Sequence, residues 1–422
     1  MLNKIKFIIK AVIPRFILMK FYKKQYIEYI RSLQNTIDNR KPTILAINHF
    51  YDQDLEACQI SNKDFNFVIV DGPTLFKSAK FFISLETQNL EKSYQSENKK
   101  NIEDWRNESK IIFNLLYEKF SFKYILVSSD TFYWIREFIM ISKNQDIVTV
   151  ILDKEGTISP HHFESESKRI RELSPIISDY VFVWSERQKS YWEKLDVPLG
   201  KIFVIGQARS DLFFLKKTNF LENMFEFNTL PLIVFFSYED DAYIPLDKQC
   251  VLSWKTMKAE THDIFHEMSQ KYKGRYNFVV KTHPQQLDLE ELQKKYGENN
   301  LKVIGGSNIS NELIQKATLI IAFQTTVITE AMFMNKAIFY TYWDKNIPIL
   351  EEGLLPFHAA SGIEVIKEKQ EFYQKLDTFL NSPINFKFTI EDIELKNKFI
   401  EKYIFSPDGN TCNRFYTFLK QC

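Results

Sequence analysis

Short apolar runs recur along the chain, each closed by polar or turn-forming residues and followed by a stretch of helical periodicity. In the first half they are Thr43 to Asn48, Phe67 to Val70, Tyr124 to Val127, Val148 to Leu152, Tyr180 to Trp184 and Lys201 to Ile205. In the second half they are Leu232 to Phe236, Tyr276 to Val280, Leu301 to Ile304, Thr318 to Phe323 and Ala337 to Tyr342. Strands alternating with helices predict βαβ units and an α/β architecture. Helices are expected from Ser253 to Tyr272, Leu287 to Tyr296, Asn311 to Ala317 and Val327 to Met334, with caps at Ser128-Ser129-Asp130 and Ser185-Glu186. Residues 89–110 read as a loop or exposed helix leading into an amphipathic helix that ends at Phe120. Residues 364–404 read as helices around Pro383.

A polar, irregular stretch from Lys216 to Pro231 interrupts the alternation and divides it into two α/β halves. The expected organisation is a basic amphipathic segment (1–40), a first Rossmann-like domain (41–225), a second (226–390) and a helical tail (391–422). The expected fold is two Rossmann-like domains facing a central cleft, which is the default site.

Ligands of open α/β sheets bind at the carboxyl ends of strands, so the residues there carry the candidate chemistry. Thr325 and Thr326 stand where a helix starts after a strand, a place that offers unpaired N–H groups and hydroxyls to a phosphate. One unit earlier, Lys281-Thr282-His283-Pro284 closes a strand, and the proline holds His283 in an extended conformation. Ser237 closes the first strand of the second half and joins this nucleotide-binding set. In the first half, Asp153-Lys154-Glu155-Gly156 ends a strand with a carboxylate suited to general base work, and Gly156 is expected to allow a sharp turn. Arg209, in Gly206-Gln207-Ala208-Arg209-Ser210-Asp211, is expected to hold an anion or to pair with Asp211. The acidic residues 239–241 are expected to form a solvated loop, because contiguous side chains cannot all converge on one metal.

Composition narrows the class. With 45% hydrophobic and 26% charged residues the chain is an ordinary globular one, and its 38 Phe and 20 Tyr against 11 Gly argue against disorder. No Gly-rich dinucleotide loop or P-loop is present, and Cys58, Cys250, Cys412 and Cys422 show no metal-like spacing, so no cofactor and no metal are expected. Reduced thiols suit the cytoplasm. A net charge of +1 does not suggest nucleic acid. Residues 1–24 combine basic and apolar side chains without an acid, which fits an anionic membrane surface or a helix packed on the body.

Taken in order, these motifs resemble those of bacterial GT-B glycosyltransferases that build capsule and lipopolysaccharide, especially those using CMP-activated acidic sugars such as sialic acid or Kdo. Lys154-Glu155-Gly156 resembles their acidic motif, His283-Pro284 their His-Pro motif, and Thr325-Thr326 their hydroxyl pair. Ile205 to Asp211 is similar to the Gly-x-Pro-Arg-x-Asp turn of surface-carbohydrate biosynthesis proteins, and Asp408-Gly409 with Arg414 resembles their carboxyl-terminal signature. Lys154, Ala208 and Asn335 depart from the pattern, which has an acid, a proline and a glycine there. The resemblance implies Glu155 as base, His283, Pro284, Thr325 and Thr326 around the nucleotide, and Glu330 at its ribose, with Arg209 and Lys281 as further substrate contacts. It implies transfer from a nucleotide-sugar donor to a glycan or lipid-linked acceptor at the inner face of the cytoplasmic membrane. A CDP-glycerol-type transferase, a nucleotide-sugar epimerase and a non-catalytic scaffold of the same fold remain as alternatives.

Overall fold

The computed structural model describes residues 15–34, 37–82, 99–156, 163, 167–168, 170–172, 174–215, 224–225, 229–244, 248–249, 251–284, 286–298, 300–306, 309–382 and 390–421. The first domain opens with helix α1 (Arg15–Ser32) and builds a sheet from β1 (Thr43–Asn48), β2 (Asn66–Asp71), β3 (Tyr124–Val127), β4 (Val148–Leu152), β5 (Tyr180–Val183) and β6 (Ile202–Val204). Helices α2 (Asp52–Ser61), α3 (Lys99–Phe120), α4 (Tyr133–Ser142) and α5 (Glu186–Lys194) connect its strands. The second builds a sheet from β7 (Leu232–Phe236), β8 (Asn277–Lys281), β9 (Leu301–Ile304), β10 (Ala317–Ala322), β11 (Ala337–Thr341) and β12 (Glu364–Ile366). Its connecting helices are α6 (Lys255–Lys271), α7 (Leu289–Tyr296), α8 (Ser310–Lys316) and α9 (Val327–Phe333), and α10 (Lys369–Asn381), α11 (Ile390–Ile404) and α12 (Thr411–Leu419) complete the chain.

Both sheets are six-stranded, and every registered pair is parallel. Parallel strands need helical crossovers, and helices on both faces exclude water from both, which is why β3, β7, β8 and β11 are buried throughout and apolar over most of their length. The second sheet has the order β12-β11-β10-β7-β8-β9, so winding reverses between β7 and β10; in the first, β2-β1-β3-β4-β5-β6, it reverses between β1 and β3. A crevice opens at the carboxyl ends of the strands at such a reversal. Ser237 follows β7 and Gln324-Thr325 follow β10, so the fold itself puts them at that crevice.

The last helix returns to the first domain. Cys412, Phe415, Tyr416 and Leu419 of α12 are buried in its core with Leu126, Phe182 and Cys58, the Phe415 ring set edge-on to Phe182 at 5.1 Å. The first N–H groups of α12 have no partner within the helix. Asp211 supplies one, accepting from the Thr411 N–H at 3.1 Å and the Cys412 N–H at 2.8 Å. Gly206 permits the approach: its φ is 99°, and a Cβ there would stand 2.9 Å from Thr411 Oγ1.

Several expectations change. Asp211 is thus not the partner of Arg209. Glu364–Ile366 is a short edge strand beside β11 rather than helix, its Val and Ile suiting a pleated edge. Ser128-Ser129-Asp130 does not cap α4, which starts at Tyr133; Asp130 instead accepts from Ile177 N, Ser178 N and Ser178 Oγ. Pro383, most of 216–231 and residues 1–14 lie outside the described residues. Helix α1 turns Tyr22, Tyr26 and Ile30 inward and exposes Ile17, Lys20, Phe21 and Lys24. Among the described residues no helix is long and apolar enough to cross a membrane.

Removing the tertiary cap leaves two buried N–H groups unpaired. Asp211→Ala is expected to lower stability by about 1–3 kcal/mol, read as an earlier urea midpoint. An unchanged midpoint would show that the cap does not hold α12 in place.

Candidate active site

One cleft of about 410 Å³ lies between the domains and is lined by Glu155 and Arg209 from the first and by Ser237, His283, Pro284, Thr325, Thr326 and Glu330 from the second. Its size falls in the range of small-molecule sites. Of the nine residues expected in catalytic, nucleotide-binding or substrate-contact roles, eight are on its wall and Lys281 is not. That side chain is buried, and its ammonium donates to the Thr282 carbonyl at 2.6 Å; burial pushes its pKa down to about 8.

Glu155 is positioned by groups that the pattern Asp-Lys-Glu-Gly did not reveal. Asp153 is buried and accepts from Glu155 N at 3.0 Å, Gln188 Nε2 at 2.6 Å and Trp192 Nε1 at 2.7 Å. Burial pushes its carboxyl up to about 7, against these donors, which favour the charged form. The Trp184 indole N–H donates to the Asp153 carbonyl at 2.7 Å. The Trp184 ring also explains Gly156, since a Cβ there would sit 2.0 Å from ring carbon Cε3. The glycine is needed for this close contact rather than for an unusual turn, as it is not among the residues of positive φ. The Glu155 carboxylate itself projects outward, 65% exposed, with the Lys154 ammonium 3.9 Å away.

Across the cleft, β8 delivers His283. Its backbone N–H donates to Gln286 Oε1 at 2.8 Å, and Nδ1 lies 3.7 Å from Glu239 Oε1. Burial lowers the imidazole pKa and outweighs the attraction of Glu239, so the ring is neutral near pH 7. Glu239 was expected only as part of a solvated loop; its carboxylate instead faces His283. Asp240 of the same loop pairs with the Lys258 ammonium at 2.9 Å, which Asp288 also binds.

Thr325 and Thr326 follow Gln324, whose φ of 46° places a non-glycine residue in the left-handed region. That strain is held by its buried amide: Nε2 donates to the Tyr340 hydroxyl at 2.6 Å, and Oε1 accepts from Leu355 N at 2.8 Å. Helix α9 then begins at Val327, with no side-chain cap bond from Thr326. Thr325 Oγ1 accepts from Val327 N at 3.4 Å and Thr326 Oγ1 from Arg209 Nη2 at 3.2 Å. Both hydroxyls keep their hydrogens for other acceptors.

Arg209 spans the two domains. Nε donates to Glu330 Oε1 at 2.8 Å, Nη1 approaches Asp54 Oδ2 at 3.4 Å, and the guanidinium carbon lies 4.8 Å from the Trp184 ring centre. Burial would lower its pKa, but Asp54 and Glu330 more than offset that and keep it charged. Its charge is committed to these carboxylates, so a phosphate in the cleft would rely on N–H groups and hydroxyls. From the sequence Asp54 reads only as an acid in the first turn of α2, with no sign of its role in the cleft.

No protein-family model matches the chain, and no curated protein sequence does. Solved structures do. One is the UDP-GlcNAc 2-epimerase of Neisseria meningitidis bound to UDP-GlcNAc, at 15% identity and a TM-score of 0.53, covering 90% of this chain and 100% of that one. Another is the UDP-GlcNAc 2-epimerase of Methanocaldococcus jannaschii, at 14% identity and a TM-score of 0.52, with the same coverage. At such identity the likeness is one of fold: two doubly wound domains about a cleft, the GT-B-like arrangement.

Arg209→Met would leave Asp54 and Glu330 buried against each other. The expected cost is about 3–5 kcal/mol at pH 8. Burial already raises the Asp54 pKa, so protonation of Asp54 relieves the repulsion and the loss relative to wild type should shrink at pH 5, as urea unfolding at the two values would show. An equal loss at both would argue against carboxylate repulsion as its source.

Proposed function

We propose that the chain is an enzyme that turns over a nucleotide-activated sugar in the interdomain cleft. The observation that carries this reading is the placement of the Glu155 carboxylate on the same cleft as His283, Ser237 and the Thr325-Thr326 pair. Breaking the bond between a sugar and its nucleotide builds negative charge on the departing phosphate. Neutral His283, the two threonine hydroxyls and the N–H groups beside them would stabilise that charge, and such donors contribute about 3–4 kcal/mol each in other enzymes. Glu155 would act as the base that takes a proton as the bond breaks. Pro284 and Glu330 would complete the nucleotide side, with Glu330 held by Arg209 next to the ribose.

Two reactions use this machinery. Epimerisation within the donor draws its support from the fold, which is like that of UDP-GlcNAc 2-epimerases. Transfer of an acidic sugar from a CMP donor to a surface glycan, the second reading, draws support from the ordered sequence motifs. Incubation of nucleotide sugars without an acceptor separates them: epimerised product supports the first, and product only when a glycan is added supports the second.

A thermal-shift panel of UDP, CMP, CDP and GDP should show selective stabilisation by one nucleotide. Glu155→Gln is expected to lower kcat about 10²–10⁴-fold with donor affinity retained. His283→Ala should weaken donor binding as well. Near-normal turnover by both variants would remove this cleft from consideration as the active site.

The exposed Ile17, Lys20, Phe21 and Lys24 on α1 support a further part of the reading, docking at an anionic membrane surface on the cytoplasmic side. The full chain should float with liposomes containing anionic lipid, and replacing these four residues by Ser or Glu should leave it in the soluble fraction. Equal flotation of both forms would exclude this face as the contact.

A further inference from the structure

The side chains behind the cleft wall determine which way one hydroxyl can point. Gln286 accepts the His283 backbone N–H at 2.8 Å, and a backbone N–H only donates, so that end of the amide is its oxygen. The other end is therefore the NH₂ group, and it donates to Ser237 Oγ at 3.1 Å. His262 Nε2 lies 3.0 Å from the same oxygen.

His262 is 2% exposed, its ring stacked on Tyr296 and meeting Phe235 at a steep angle. Burial, reinforced by the nearby Lys258 ammonium, pushes its pKa down to about 3, so the ring is neutral and carries a single N–H. Nδ1 is buried and has no hydrogen-bond partner among the described residues. A proton on Nδ1 would bury an unpaired donor; a proton on Nε2 leaves only an unpaired acceptor, the more commonly tolerated defect. The N–H is therefore at Nε2, and it donates to Ser237. A serine hydroxyl has two lone pairs and one hydrogen. With both lone pairs engaged, the hydrogen remains, and Ser237 lines the cleft.

We infer that Ser237 is wired as a one-way donor, presenting its O–H to an acceptor oxygen of the ligand, with His262 and Gln286 as the positioning residues that set its direction. This rests on the nucleotide reading of the cleft and deepens it by naming the kind of ligand atom: a phosphate or carbonyl oxygen rather than an N–H. A freely rotating serine would accept from one ligand and donate to another; this one discriminates between them.

The wiring can be read without any ligand. In the full chain labelled with ¹⁵N-histidine, the ring nitrogen shifts of His262, assigned by their loss in His262→Gln, should report the Nε2–H tautomer. In parallel, UDP, CMP and inorganic pyrophosphate are titrated by calorimetry into wild type, Ser237→Ala, His262→Gln and His262→Phe. Ser237→Ala should weaken the tightest-binding probe by about 10-fold or more. His262→Gln, whose side-chain NH₂ can replace the ring N–H, should bind close to wild type, and His262→Phe should not. An Nδ1–H tautomer, or wild-type affinity in Ser237→Ala, overturns the inference. Failure of the wild-type chain to bind any probe overturns the nucleotide reading and with it the ligand assignment, while the tautomer separately decides the wiring.

Discussion

The arrangement of the cleft depends on one buried guanidinium. Arg209 lies between Asp54, 1% exposed, and Glu330, 3% exposed, and these acids belong to opposite domains. A charge removed from water to this degree is tolerable only with partners in place, so the domains cannot slide apart without exposing or stranding ions. The planar fork of arginine suits this position, because separate nitrogens reach an acid in each domain and the Thr326 hydroxyl, while the flat face rests on Trp184. A lysine ammonium could satisfy one of these directions at a time.

Trp184 links this strut to the chemistry. Its ring supports Arg209 on one side and packs against Gly156 on another, and its N–H fastens the Asp153 carbonyl. The segment that carries Glu155 is thus seated on the same platform as the residue that holds the domains together. The backbone of that segment is therefore fixed by packing, while the Glu155 carboxylate reaches out from it into the cleft. The opposing wall is built with similar rigidity, through the strained Gln324 turn and the Gln286 and His262 side chains behind Ser237.

The strands were legible because a strand covered on both faces must be apolar along its length, and in this chain each such run ends at an abrupt polar boundary. The strand-end residues were legible for a related reason: in a doubly wound sheet position follows from topology, so Glu155, His283 and Thr325 could be brought to one opening without knowing any contact. What could not be read were partners far apart in sequence. Arg209 and Asp211 look like a local pair, yet Arg209 binds Asp54 and Glu330, while Asp211 caps a helix 200 residues away. Gly156 was expected to allow a sharp turn because the bulky neighbour that requires it, Trp184, comes from beyond the end of β5. Lys281 was expected as a substrate contact because it closes a strand, whereas its long stem turns the ammonium onto the backbone. The edge strand Glu364–Ile366 is too short for its pattern to compete with the helical stretch after it.

The return of α12 to the first domain means that the second domain is tethered at two places. The described part of the first domain runs to Leu215, and the chain returns to that domain at Thr411, next to where Asp211 and Gly206 receive it. Any separation of the two domains would have to part Arg209 from Glu330, so the same buried ion pair that seats the cleft also opposes its widening.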